Sequence, residues 1–409
     1  MSDSALQKKT IAEVAFVRIL VVICQLIFLK AYTHYTSLYE LGIYYFIFTI
    51  SYSLNAFLLV PLDYFQQSQL YRLKKEGFSL RSFYGINQLI AKIAAVLLIL
   101  SVAVCFFIKP QYCLSILMVI ALALSTYGVN MLRGIINNLE RRRQAIYTLL
   151  FETVCKILIF LLFVHLFKPS AYLIVCAMLS ASLLALSMLF LLVKSLPEYK
   201  LQQRVVFAKT EVFNFAYPIS IGAVINWIQL QSYALILVPL GFVEVVGIYG
   251  TLANVGSSGM NACSTVFSQL FVPNIYKSNG GYVKTYLRNA LLAIVFVFTV
   301  SAFLSPIIVG LLTKAGFVPY SKVILFGILL EAGNFLISGL TIYLTIYNLT
   351  KTTIKVSLIG LCVLFLSFAT LYLMHNINVY TLGIPMVLSQ AAISLGLFFI
   401  VNKTYKTHF

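Results

Sequence analysis

Residues 141–169 read RRRQAIYTLLFETVCKILIFLLFVHLFKP. Three arginines stand at one end and a single lysine, Lys168, at the other. Between them Ala145–Phe167 is apolar, interrupted by full charge only at Glu152 and Lys156. A bilayer's hydrocarbon core, about 30 Å thick, takes about 20 helical residues to cross. This stretch has that length, with basic residues gathered on one flank, and it sets the question for the rest of the chain.

The same pattern recurs from end to end. Working outward, spans are expected at Ile11–Leu29, Leu41–Phe65, Phe83–Ile108, Tyr112–Leu132, Ala145–Phe167 and Ala171–Val193, and again at Val212–Leu240, Val243–Phe271, Ala290–Leu312, Val323–Tyr347, Ile354–Met374 and Thr381–Val401. Pro239-Leu240-Gly241-Phe242 must reverse the chain in a very tight turn. Composition agrees: 61% of the 409 residues are apolar and 10% are charged, against about 25% charged in a soluble domain. The fold class is therefore an all-α polytopic membrane protein of about twelve transmembrane helices, in two six-helix lobes covering residues 1–200 and 201–409.

The net charge of +18 would suggest nucleic acid in a soluble protein, but here the basic residues lie in short loops and report topology. With the N-terminus inside, the cytoplasmic loops hold Lys8, Lys9, Arg72, Lys74, Lys75, Arg81, Arg133, Arg141–Arg143 and their equivalents in the second half. The opposite side holds only Lys30, Lys109, Lys168, Lys314 and Lys322. The alternation holds at every loop, placing both termini in the cytoplasm. No nucleic-acid partner is implied. Lys8 and Lys9 before an apolar stretch resemble a signal peptide, but the stretch is too long, contains Arg18 and lacks a small-residue cleavage site. It reads as an uncleaved first helix.

Chemistry outside the membrane has little room. Every loop is short, the longest running from Lys194 to Thr210. The seven cysteines form no CxxC pair or Cys/His cluster, and the four histidines are scattered near span ends, so neither a disulfide framework, a metal site nor a cofactor is indicated. A polymerase or glycosyltransferase would need a large catalytic loop, so the chain reads as a transporter, not an enzyme. The loop after the second span, Leu70–Gly77, lacks the Gly…Asp-Arg…Gly-Arg-Arg pattern of major-facilitator transporters.

The halves also resemble each other. Gly42-Ile43-Tyr44 opens the second span and Gly247-Ile248-Tyr249 the eighth; Val60-Pro61 and Val272-Pro273 close them. Two halves of equal orientation imply parallel repeats, with a substrate site between them.

Ionisable residues inside spans are costly and usually face a cavity. Arg18 lies roughly 10 Å into the first span at 1.5 Å per residue, Lys92 lies within the third and Lys156 within the fifth. Together they suggest an anion site. The competing reading is snorkelling or, for Lys156, neutralisation by Glu152 four residues earlier. In the tenth span Glu331, Asn334, Ser338, Thr341, Thr345 and Asn348 alternate in steps of three and four, which holds one helical face. Such a polar face must meet protein or water. Asn226, Gln229 and Tyr233 do the same in the seventh span, and Asn254, Ser258, Asn261, Thr265 and Ser268 in the eighth. The substrate-binding candidates are Arg18, Lys92, Lys156, Asn226, Gln229, Asn254 and Asn261. The ion-coupling candidates are Glu331 and Asp63, with helix–helix hydrogen bonding and an interfacial cap as their respective bland alternatives.

Leu132-Arg133-Gly134 through Glu140-Arg141-Arg142-Arg143, Asn214-Phe215-Ala216-Tyr217-Pro218 with Asn226-Trp227-Ile228-Gln229, and Val246-Gly247-Ile248-Tyr249 with Val272-Pro273 together resemble the Wzx-type O-antigen flippases of the multidrug/oligosaccharidyl-lipid/polysaccharide (MOP) exporter superfamily. The resemblance covers the whole chain in length and topology through loose motifs. It implies a V-shaped pair of lobes around a central cavity, rocking between inward-open and outward-open states. It further implies flipping of a polyprenyl-diphosphate-linked oligosaccharide across the bacterial inner membrane, coupled to an ion gradient, with a polysaccharide polymerase complex as a candidate partner. The nearest rival is a multidrug/cation antiporter of the same superfamily, which favours buried acids as cation ligands.

Overall fold

The computed structural model describes residues 3–108, 113–347 and 349–408. Three positions used above, Lys109, Tyr112 and Asn348, lie outside them. The described chain is helical throughout: α1 (Asp3–Tyr35), α2 (Leu38–Leu54), α3 (Val60–Glu76), α4 (Tyr84–Ile108), α5 (Cys113–Asn138), α6 (Arg142–Leu166), α7 (Ala171–Ser195), a single turn α8 (Pro197–Lys200), α9 (Lys209–Leu237), α10 (Val243–Lys277), α11 (Val283–Leu312), α12 (Ile324–Ile346), α13 (Thr350–Leu373) and α14 (Gly383–His408).

Eleven helical stretches among the described residues are long and apolar enough to cross a membrane. The expected eighth span lies in α10 and is not among them, because Gly, Ser, Thr and Asn between Gly247 and Ser268 dilute its hydropathy. Elsewhere the expected spans fall on helices. The second continues through a π-helical turn, Asn55–Leu59, into α3 as one stretch, Leu38–Glu76. Pro61 stands at the start of α3, where its missing N–H leaves the preceding turn short of a donor. Gly77, at φ +72°, caps α3 in the left-handed region. The tight turn after α9 forms as expected: Phe242 N donates to Leu237 O at 3.0 Å, and Gly241 has φ +90°.

Contacts divide the chain into two compact units, Met1–Thr36 with Phe46–Val224, and Ser37–Tyr45 with Ile225–Phe409. Two helices, α2 and α9, each contribute a segment to both. Residues 201–224 belong to the first unit. Ser79 N donates to Gln203 O at 2.7 Å, Val205 N donates to Ser82 Oγ at 3.0 Å, and Phe207 stacks on Phe83 and meets the edge of Phe65. In that unit α1 packs on α6, and α5 is flanked by α3, α4, α6 and α7. Phe65, Leu73, Phe83, Ile136 and Leu189 are buried in its core.

The second unit is built on two glycine-mediated crossings. A Cβ on Gly42 would overlap the carbonyl of Val243, and one on Gly247 would overlap the carbonyl of Leu38. Each glycine thus meets the residue four positions before the other, so the two Gly-Ile-Tyr stretches pack reciprocally. Where α10 crosses α12, a Cβ on Gly256 would overlap Ile324 O and one on Gly327 would overlap Ala253 O, again reciprocally. Small residues allow this closeness where lipid supplies no hydrophobic drive between helices. Large exposed side chains, among them Phe296, Phe303, Ile307 and Leu311 on α11, form the outer faces.

Candidate functional site

The second unit contains a cavity of about 460 Å³ walled by α9, α12, α13 and α14, with Tyr276 from α10. The expected polar face of α12 lines it: Asn334, Ser338, Thr341 and Thr345 all do so. Asn226 and Gln229 of α9 face them. Gln229, itself buried, donates from Nε2 to the backbone oxygen of Ser357 at 2.8 Å, tying α9 to α13. Ser389 Oγ ties α14 to α13 through Gly360 O at 2.7 Å. Gln390 also lines the cavity, 2% exposed, and neither its Oε1 nor its Nε2 has a partner. Among the described lining residues none carries a carboxylate, ammonium or guanidinium group.

The other candidates fall elsewhere. Glu331 sits one turn before this lining and accepts from Asn334 Nδ2 at 3.3 Å. Asn254 and Asn261 are exposed on α10 and accept from Ser258 Oγ and Thr265 Oγ1, at 3.5 and 3.2 Å. The third residue of the seventh-span face, Tyr233, is buried edge-on against Tyr249, with ring centroids 5.1 Å apart.

In the first unit, Arg18 is exposed on α1, which packs on α6. Lys92 is exposed on α4, which packs on α5. Lys156 is committed: its Nζ lies 2.6 Å from Glu152 Oε1, while Arg133 Nη2 lies 2.7 Å from Glu152 Oε2. Ser182 Oγ adds a contact at 3.4 Å. Sequence reasoning placed Arg133 in a loop and so missed its part in this buried group, which bears one negative and two positive charges.

Asp63 is 6% exposed in α3 and accepts from Gln67 Nε2 at 2.9 Å. One turn on, Gln66 donates from Nε2 to Asn87 Oδ1 at 3.0 Å and to Tyr127 OH at 3.1 Å. Gln66, Asn87 and Tyr127 escaped the sequence reading. The only available signal was Asp63-x-x-Gln66-Gln67 in an otherwise apolar stretch.

Two apolar cavities complete the first unit. One, about 800 Å³, is walled by Leu and Ile of α2–α5. Its polar lining, Lys209, Thr210, Asn214, Tyr217 and Ser220, comes entirely from α9. The other, about 500 Å³, lies between α4 and α5, with Asn87 its polar lining residue. No group of three or more His, Cys, Asp or Glu side chains among the described residues is arranged to hold a metal.

No protein-family model matches the chain, and no curated protein matches it. Solved structures do. The chain is similar to an inward-facing multidrug resistance MATE family transporter of the MOP superfamily, with a TM-score of 0.67 at 12% identity over 97% of this chain and 100% of the other. An outward-facing structure of the same description gives 0.64 at 13% identity over 98% and 96%. A MOP superfamily transporter from Pyrococcus furiosus, described as having a binding pocket of reversed polarity, gives 0.56 at 11% identity over 96% and 93%. At these identities the likeness establishes the fold: an all-helical architecture of the MATE/MOP type.

Proposed function

We propose that this chain is a transporter that flips a polyprenyl-diphosphate-linked oligosaccharide, an O-antigen or related surface-polysaccharide unit, across the bacterial inner membrane. The step is alternating access, drawing on an ion gradient. The observation that carries this reading is the chemistry of the second-unit cavity. Amides and hydroxyls from four helices converge there without a fixed charge. Carbohydrate hydroxyls both donate and accept, and side-chain amides match them on both counts. A cavity built for a cationic drug would place a carboxylate in the wall, because an organic cation leaving water needs a compensating charge. The exposed Arg18 and Lys92 suit the diphosphate as electrostatic guides on the first unit.

One observation favours a second reading. The 800 Å³ apolar cavity of the first unit suits a hydrophobic drug, and the fold is shared with proteins described as multidrug resistance transporters.

The two separate in proteoliposomes. Purified protein is reconstituted with a fluorescent polyprenyl-diphosphate oligosaccharide, and the label reaching the outer leaflet is scored by a membrane-impermeant quencher. Protein-dependent flipping that Asn226→Ala slows supports the flippase. Absence of flipping, with proton-driven efflux of a lipophilic dye from the same vesicles, supports the drug exporter and overturns the first reading.

A further inference from the structure

The 800 Å³ cavity of the first unit has two unlike sides. Its polar residues all stand on α9, where Thr210, Asn214, Tyr217 and Ser220 follow in steps of three and four and so share one helical face. Lys209 lies at the start of that face. The rest of the wall is hydrocarbon: leucine, isoleucine, phenylalanine and alanine from α2, the π-turn and α3–α5. Among the described residues no carboxylate lines the cavity, and no acidic side chain pairs with Lys209. Glu211, the acid next to it in sequence, is not in the wall.

Depth along α9 orders these groups. The helix has 29 residues and is apolar enough to cross a membrane. At 1.5 Å per residue it extends about 43 Å, close to the thickness of a bilayer with its headgroups. Lys209, its first residue, therefore stands at headgroup depth. Asn214, Tyr217 and Ser220 follow about 8, 12 and 16 Å further in. The approach to Lys209 is also fixed. Ser79 Oγ donates to Tyr199 O at 3.0 Å, and Phe207, two residues before the lysine, stacks on Phe83.

A cation at headgroup depth, hydrogen-bond donors just below it and hydrocarbon beyond match the sequence of groups in an anionic glycerophospholipid: phosphate, ester carbonyls, acyl chains. Other amphiphiles match less well. A lipophilic cation would meet Lys209 as a like charge. A prenyl phosphate has no acceptor below its phosphate, so the Asn214 amide and the Tyr217 hydroxyl would go unmatched. The 500 Å³ cavity between α4 and α5 adds a second argument. It shares Ile90, Ala94, Ile120 and Leu124 with the larger one, so two apolar spaces adjoin, as a lipid with two chains requires and one with a single chain does not.

We propose that this groove is a binding site for an anionic glycerophospholipid of the bilayer. Its phosphate sits on Lys209, its ester carbonyls accept from Asn214 and Tyr217, and its acyl chains lie against α2–α5. The lipid is a resident of the groove and not the transported molecule, so the proposal does not rest on the flippase reading.

The test uses the purified full chain, stripped of lipid in a non-ionic detergent and titrated with phosphatidylglycerol or phosphatidylcholine. Bound lipid is counted by native mass spectrometry. Wild type is expected to hold phosphatidylglycerol in preference to phosphatidylcholine. Lys209→Gln weakens phosphatidylglycerol binding about fivefold, as expected for one lysine beside an anionic lipid, and leaves phosphatidylcholine unchanged. Lys209→Arg restores the preference. Lys200→Gln, at an exposed lysine outside the cavity wall, changes neither lipid. Ala94→Phe, which fills the wall common to both cavities, weakens both lipids alike. A wild type without the preference overturns the proposal, whether or not any variant folds. Equal losses from Lys209→Gln and Lys200→Gln would reduce the effect to general surface charge and overturn it too. Displacement of phosphatidylglycerol by an equimolar long-chain prenyl phosphate would give the groove to a different lipid, with the same consequence. Each outcome is read without a transport assay, so the flippase reading stands or falls separately.

Discussion

At the scale of single residues, the buried polar groups act in opposite ways. Glu152 holds two cations at 2.6 and 2.7 Å with only 7% of its side chain exposed. Removing one partner of a buried pair leaves a charge uncompensated and costs about 3–5 kcal/mol. Glu152→Gln strands both Arg133 and Lys156, so the expected outcome is a clear fall in unfolding temperature in detergent. Lys156→Met leaves the Arg133 pair intact and is expected to cost far less. Equal losses would mean that Lys156 alone carries the stability of the group and that the Arg133 pair adds nothing. Gln390 presents the reverse case. Its amide atoms are buried and unpartnered, so replacing it by an apolar side chain of similar size removes a desolvation penalty of about 1–3 kcal/mol. Gln390→Leu is expected to unfold no lower than wild type, yet to flip lipid-linked oligosaccharide about tenfold more slowly, a difference of about 1.4 kcal/mol. Retained transport would remove Gln390 from the sugar site.

At the scale of elements, glycines decide how closely helices approach. Gly256 and Gly327 meet each other's helix backbone at the α10–α12 crossing, whereas a Cβ on Gly259 would meet nothing within 4 Å. Gly256→Ala forces the crossing apart, and overpacking of this kind costs about 1–3 kcal/mol. Gly259→Ala on the same helix is expected to be neutral or mildly stabilising, since alanine is the better helix former by about 1 kcal/mol. Thermal unfolding of the two variants checks the contrast. This is also where sequence reading meets its limit. The apolar spans were legible because a membrane helix satisfies its own backbone, so its length and hydropathy are local properties. The polar face of α12 was legible for the same reason, since Asn334, Ser338, Thr341 and Thr345 are placed by one helix's own periodicity, and all line the cavity. What joins one helix to another was not legible. Arg133 reaches Glu152 from α5 to α6, and Gln66 reaches Asn87 and Tyr127 from α3 to α4 and α5. No spacing within a single span encodes such pairs. The matching Gly-Ile-Tyr stretches fall between these cases: visible as a repeat, but not as two surfaces that pack against each other.

At the scale of the whole molecule, α10 decides on which side the chain ends. Among the described residues eleven helical stretches have the apolar length to cross a membrane, and α10 is not one of them. An odd number of crossings would put the termini on opposite sides; α10 as a twelfth crossing puts them on the same side. Hydropathy alone disfavours it, but α10 is not a lone helix facing lipid all round. Its 35 residues extend about 50 Å at 1.5 Å per residue, well beyond the hydrocarbon thickness. Gly247 and Gly250 are spent on contacts with α2 and Gly256 on contacts with α12, and Leu252, Met260 and Ile275 are buried. A polar helix enclosed by others can cross where the same helix alone would not, because its polar groups meet protein or a wet cavity in place of lipid. The basic residues point the same way. With twelve crossings Lys277, Lys284 and Arg288 after α10 fall on the side of Lys8 and Lys9, as do Lys403 and Lys406; with eleven, everything beyond α10 inverts and those cations face outward against the usual bias. The expected result is that a fluorescent protein fused at the C-terminus lights up inside the cell. Alkaline phosphatase fused after Lys168 or Lys314 should be active outside, and the same fusion after Lys277 inactive. Activity after Lys277 would make α10 a surface or re-entrant helix, and would overturn the expectation of two equally oriented halves.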